Sequence, residues 1–194
     1  MLDFLRKNKK EVLIPSAVLL VICVLIPLAL ALTNRLTADR IAALEAKNRE
    51  EAMARLIDAE EYTAEKYEDQ FEYFVAKQGG EEVGYIFVTA QKGYGGEVSV
   101  MTAIKPDGAI KAVAILDVSN ETPGLGQNAA KENFYGQFAD KTNGISLLKN
   151  GANADQNEIN AVTGATITST AVTRAVNAAT EEFEKIRSVE NHGE

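Results

Sequence analysis

The sequence predicts an α+β domain carried behind one apolar helix. Three observations predict it. Val12 to Leu32 is a run of 21 residues without a charge. Short β-rich runs separated by glycine turns fill the stretch from Phe71 to Val118. Val172, Ala175, Val176, Ala179, Phe183 and Ile186 recur at spacings of three and four, the stripe of an amphipathic helix. Strands first, with helices at both ends, is the order of an α+β domain whose antiparallel sheet is flanked by helices.

The elements follow in order along the chain. Residues 1–11 read as a cytoplasmic N-terminus and residues 12–32 as a transmembrane helix. A run of about 20 apolar residues crosses a bilayer. Pro15 and Pro27 lie near the ends of this one, where a bilayer helix tolerates them. Arg6, Lys7, Lys9 and Lys10 precede the span, and Arg35 and Arg40 follow it. That bias places the N-terminus inside and everything after residue 33 outside, a single-pass protein of the cell membrane. A cleavable signal peptide is the alternative, cut at Ala29-Leu30-Ala31, but the run exceeds the roughly 7–15 residues of a signal core. Residues 33–70 read as a stalk or linker, helical to about residue 66. There Leu36, Ile41, Leu44, Leu56 and Ile57 sit at helical spacing between charges.

Residues 71–188 read as the domain. EYFVAK and GYIFVTA are strands parted by Gln78-Gly79-Gly80. Residues 97–118 form a hairpin that turns at Lys105-Pro106-Asp107-Gly108, where Pro presets one torsion and Gly accepts a positive φ. Ala129 to Phe138 reads as a short helix, Gly144 to Leu148 as a strand and 149–160 as a polar loop. The last helix runs from about Ser169 to Ser188, and residues 189–194 are a tail.

Composition narrows the function classes. Of 194 residues, 46% are hydrophobic and 25% charged, which is a globular balance. The net charge is -8, whereas a nucleic-acid binder presents a basic face, so no nucleic-acid partner is expected. A single cysteine rules out a disulfide framework, a CxxC redox pair, a thiolate zinc site and a cysteine-ligated iron–sulfur cluster. A single histidine, His192, rules out a histidine-built metal site and a core Ser-His-Asp triad. No metal and no catalytic side chain are expected. If this chain does chemistry, a bound cofactor supplies it.

The candidate chemistry is concentrated where the last helix opens. Thr163-Gly164-Ala165-Thr166-Ile167-Thr168-Ser169-Thr170 holds five hydroxyl residues in eight. Thr168, Ser169 or Thr170 can cap the helix. A helix N-terminus is also an anion site, with free N–H groups and a partial positive charge. A plain cap and an anion site are both open on composition alone.

Thr163-Gly164-Ala165-Thr166 resembles the flavinylation motif, commonly Ser-Gly-Ala-Thr, of the FMN-binding domain family. That family includes the G subunit of the Rnf complex and the C subunit of the sodium-translocating NADH:quinone reductase. Gly93-Tyr94-Gly95-Gly96 resembles a glycine-rich segment of the Rnf G subunits, and Glu121-Thr122-Pro123-Gly124-Leu125-Gly126 resembles their ETPGLG loop. The order of the motifs, the single span and the length favour the Rnf G subunit over the longer quinone-reductase subunit. The resemblance covers roughly residues 80–186. Thr163 stands where Ser is commoner and keeps the hydroxyl. Asn120 stands where relatives often carry His.

The resemblance implies an extracytoplasmic domain with FMN joined to Thr166 by a phosphoester bond, installed by a dedicated flavin transferase. It implies an electron relay within an Rnf-type, ion-translocating ferredoxin:NAD oxidoreductase complex, with the other subunits as partners and no substrate site of its own. Thr163, Gly164, Ala165 and Thr168 surround the attachment point. Tyr94, Thr122 and Leu125 are candidates to touch the flavin ring, and Gly93, Gly95, Gly96, Gly124 and Gly126 allow backbone to lie close to it. Glu121 either accepts a hydrogen bond from the flavin or fixes its own turn. Other readings are a quinone-reductase C-type subunit, a stand-alone flavinylated carrier, or a non-redox anchored binding domain. Gly124 to Ala129 also fits a dinucleotide fingerprint, but that pattern has meaning only between a strand and a helix of a βαβ unit.

Overall fold

An apolar helix with nothing to bury itself against is suited to lipid, and the first helix has that character. Helix α1 runs from Lys9 to Leu56 and contains Pro15 and Pro27. The structure, a computed structural model, describes residues 9–67 and 71–192. Arg6 and Lys7, on which the expected orientation partly rests, lie outside the described residues, as does the end of the tail. Leu13, Leu20 and Leu30 are 63%, 67% and 66% exposed. Helix α1 is the one described helix long and apolar enough to cross a membrane.

The chain divides into two compact units, Met1–Asn48 and Arg49–Glu194. The second is built on a five-stranded antiparallel meander in the order β1-β2-β3-β4-β5. Its strands are Glu61–Tyr67, Phe71–Gln78, Glu81–Lys92, Glu97–Ile104 and Ile110–Asp117. Three of its turns follow from glycine. Gly79 and Gly80 both take positive φ, +60° and +86°, the requirement of a two-residue hairpin between β2 and β3. Gly93 to Gly96 closes β3 onto β4, with the Gly93 N–H donating to the Gly96 carbonyl at 2.7 Å. Gly108, at φ +90°, closes β4 onto β5 as expected. After β5 come a short helix α2, Glu132–Tyr135, and two strands, β6 (Ser146–Leu148) and β7 (Glu158–Asn160). These two pair in parallel. Helix α3, Thr166–His192, ends the described chain.

Helix α3 covers one face of the sheet. Its Val172, Ala175, Val176, Ala179, Phe183 and Ile186 are all buried, the stripe read from the sequence. They meet Tyr85, Phe87, Val98, Val100, Ile104 and Val113. Phe183 packs edge-on to Tyr85 at 5.2 Å between ring centres. The other face is covered in part by Met53, Leu56 and Ile57 against Ala76, Ile86, Met101 and Ala103. Thr102 shares the α3-facing side of β4 with Val100 and Ile104, and its buried hydroxyl lacks a partner among the described residues. Thr102→Val keeps the shape and removes the unpaired group. It is expected to stabilise the fold by about 1 kcal/mol, read as a raised midpoint in urea.

The structure corrects the expected boundaries. Helix α1 stops at Leu56, not near 66, and residues 61–67 are strand β1. Part of the expected linker therefore belongs to the sheet: β1 pairs antiparallel with β2, from Glu61 opposite Lys77 to Tyr67 opposite Phe71. Charged side chains suit an edge strand, and Glu61, Glu65 and Lys66 gave this one the look of a solvated helix. The stretch 129–138 is a series of short turns rather than one helix. The loop 149–160 ends in strand β7.

Candidate functional site

Three segments far apart in sequence meet at the start of α3. The first is the β3–β4 turn, Gly93 to Gly96. The second is the loop after β5, where the Leu125 N–H donates to the Thr122 carbonyl at 3.1 Å and Gly124 takes φ +76°. The third is the turn into α3. There the Ala165 N–H donates to the Val162 carbonyl at 3.0 Å, and Gly164 sits at φ +76°, a conformation costly for any residue with a Cβ. The first two segments touch backbone to backbone: a Cβ on Gly95 would overlap the Asn120 carbonyl oxygen. A Cβ on Gly126 would lie 2.6 Å from Glu121 Oε2 and 2.8 Å from Thr168 Oγ1.

Glu121 joins all three segments. It is 2% exposed, and its carboxylate accepts the Gly95 N–H at 2.9 Å and the Thr168 hydroxyl. Burial by itself pushes its pKa up. The hydrogen bonds from Thr168 and from the backbone N–H groups of Gly95, Gly96 and Tyr94 outweigh it, so the carboxyl titrates below its ordinary value of 4.5. Its role in fixing the loops is visible in these bonds.

A stability consequence follows with a definite sign. A carboxyl whose folded pKa is depressed adds stability above its unfolded pKa and loses it as pH falls through the folded value. The chain should therefore lose thermal stability below about pH 4.5, and Glu121→Gln should flatten that part of the Tm–pH curve.

Above this junction lies a half-open cavity of about 560 Å³. That is within the ~300–1,000 Å³ typical of small-molecule sites. Eight of the expected site residues line it. Tyr94, Thr122 and Leu125 come from the loops with Glu121, and Gly164, Ala165, Thr166 and Thr168 from the turn into α3. Tyr94 and Leu125 are exposed, at 71% and 44%. The two others lie beside the cavity. Gly95 packs behind it on Asn120 and Glu121, and Thr163 faces a neighbouring polar cleft with Asn128, Lys131 and Gln137.

The helix start differs from the expected caps. Helix α3 opens at Thr166, and its first backbone bond runs from the Ser169 N–H to the Ala165 carbonyl at 2.9 Å. Thr168, Ser169 and Thr170 sit inside the first turns and donate to Glu121, Ala165 and Thr166 respectively. None of the three is the cap. Among the described residues the N–H groups of Thr166, Ile167 and Thr168 have no acceptor. An uncapped first turn and small residues at 164 and 165 fit a phosphate group, and the apolar rim of Tyr94, Leu125 and Ile167 fits an aromatic ring.

Gly126, one of the glycines expected to let backbone lie close to a flavin ring, also lines the cavity, whereas Ile167 was not anticipated. Ile167 carries a signal that could have been used: it is an apolar residue off the buried stripe of α3, and 55% exposed.

The profile of the FMN-binding domain family matches residues 93–181, the span that holds all three motifs. The G subunit of a Na(+)-translocating ferredoxin:NAD(+) oxidoreductase complex from Acetobacterium woodii is 36% identical, over 87% of this chain and 90% of its own. The G subunit of a proton-translocating ferredoxin:NAD(+) oxidoreductase complex from Clostridium ljungdahlii is 32% identical, over 91% of this chain and 94% of its own. The chain belongs to this family of G subunits. The domain also has the fold of a crystallised NqrC from Shewanella oneidensis, with a TM-score of 0.51 and 23% identity over 63% of this chain and 64% of that one. The relationship to the G subunits spans nearly the whole chain, whereas the likeness to NqrC concerns the fold alone.

Proposed function

We propose that this chain is the membrane-anchored electron-relay subunit of an Rnf-type ferredoxin:NAD oxidoreductase complex, with FMN esterified through its phosphate to the Thr166 hydroxyl. The convergence of the three motif segments on one cavity, with Thr166 at the open helix end, carries this reading. When bound, the flavin accepts and donates electrons. The protein's own residues hold it. The phosphodiester keeps one negative charge, which the first turn of α3 stabilises by about 0.3–1 kcal/mol where exposed. Thr166 is exposed, so a flavin transferase reaches its hydroxyl without unfolding the site. Gly164 at positive φ turns the chain so that Thr166 and Leu125 line the same cavity.

Helix α1 holds the domain at the membrane, with the N-terminus in the cytoplasm and the flavin on the opposite side. Covalent attachment suits that position, because a domain outside the cytoplasm cannot recover a flavin that dissociates. The other subunits bind ferredoxin, NAD and the translocated ion. The reading is tested by isolating the complex from membranes. Reduced ferredoxin should bleach a flavin that stays with this chain after denaturation. A chain that co-purifies with no such subunits, or whose flavin washes out on denaturation, contradicts it.

A further inference from the structure

We infer that the Glu121 carboxylate sets the redox bias of the site: its buried negative charge in the cavity wall favours the oxidised form of a flavin attached at Thr166. Among the described residues that line the cavity, Glu121 is the one with a charged side chain. Nine-tenths and more of it is buried, and its place is fixed by the Gly95 N–H and the Thr168 hydroxyl. Uptake of two electrons and one proton by an oxidised flavin adds one negative charge to the cavity. A buried charge in the wall of the same cavity opposes that addition and is weakly screened by salt. The donors around Glu121 offset part of its charge. They remain when the carboxylate is replaced by a carboxamide, so Glu121→Gln leaves a net field that welcomes electrons. Thr168→Val does the reverse: the carboxylate keeps its charge and loses a donor.

This bias holds only with the flavin at Thr166, so the test begins there. The full chain is produced with a flavin transferase, purified in detergent and weighed after denaturation. The flavin's midpoint potential is then measured by dithionite titration against reference dyes, for the wild type, Glu121→Gln and Thr168→Val. Thermal unfolding of each variant produced without the transferase reports that the fold is kept. Glu121→Gln is expected to shift the oxidised-to-reduced equilibrium about tenfold toward reduced, a rise of about 30 mV for a two-electron couple. Thr168→Val is expected to shift it in the opposite direction. Loosening of the loops alone would move both variants the same way, and that result overturns the inference, as does a midpoint unchanged in both. Where Glu121→Gln does not mature, the sign of the Thr168→Val shift decides: a fall supports the inference, and a rise or no change overturns it. A wild-type chain with no flavin adduct removes the flavin reading itself, and this inference with it.

Discussion

Thr166→Ala is expected to yield a folded chain that carries no covalent flavin. The effect on attachment is all or none, because the substitution removes the oxygen that forms the bond to phosphorus. The effect on stability is small. Thr166 is exposed, and its backbone carbonyl, which accepts the Thr170 hydroxyl at 2.7 Å, is retained. Exposed substitutions of this kind stay within about 0.5 kcal/mol. Thr166→Ser restores a hydroxyl at the same position and should restore attachment. Membranes carrying the Ala variant should lose electron transfer from reduced ferredoxin to NAD while still assembling the chain. Comparison of denatured, flavin-stained bands for the three proteins checks the attachment step directly.

Gly95→Ala has the largest expected effect on the fold of the site. A Cβ at Gly95 would overlap the Asn120 carbonyl oxygen, which is backbone and cannot swing aside. The β3–β4 turn or the loop after β5 must move. Either movement pulls the Gly95 N–H away from Glu121, and with it the link to Thr168. Overpacking costs about 1–3 kcal/mol, and a buried carboxylate that loses a donor adds to it. A total near 3 kcal/mol lowers Tm by roughly 6–12 °C for a domain of this size. Gly124→Ala at the tip of the neighbouring loop meets nothing within 4 Å, so it carries only the strain of its φ of +76°. Thermal unfolding of the two variants should separate them clearly. Equal shifts would mean that the loops do not pack as described.

Local rules account for much of this protein. An uncharged run of 21 residues, a stripe at spacings of three and four, and glycines at hairpin turns each depend on neighbours in the chain, and each is found where the sequence places it. Strand β1 is hidden in the sequence because Glu61, Glu65 and Lys66 mask its alternation: Glu61 and Lys66 stay in water on this edge strand, and the half-buried Glu65 accepts the Tyr73 hydroxyl. The start of α3 was misplaced by one turn because hydroxyl residues look like caps. Here they serve long-range bonds: Thr168 reaches Glu121, 47 residues away in sequence. That bond explains why Glu121 stood open between touching a cofactor and fixing a turn. Nothing near it in sequence marks the partners that bury it. The parallel pairing of β6 with β7 was likewise invisible, since three-residue strands carry no periodicity.

A phosphoester at Thr166 changes the mass of one peptide only, so peptide mass decides whether it is there. The full chain is purified from membranes of a host with an active flavin transferase, denatured, and its peptides are mapped by mass. The expected result is a gain of one FMN less one water, confined to the peptide that holds Thr166. An unmodified Thr166 peptide, or the same gain on any other residue, would contradict it.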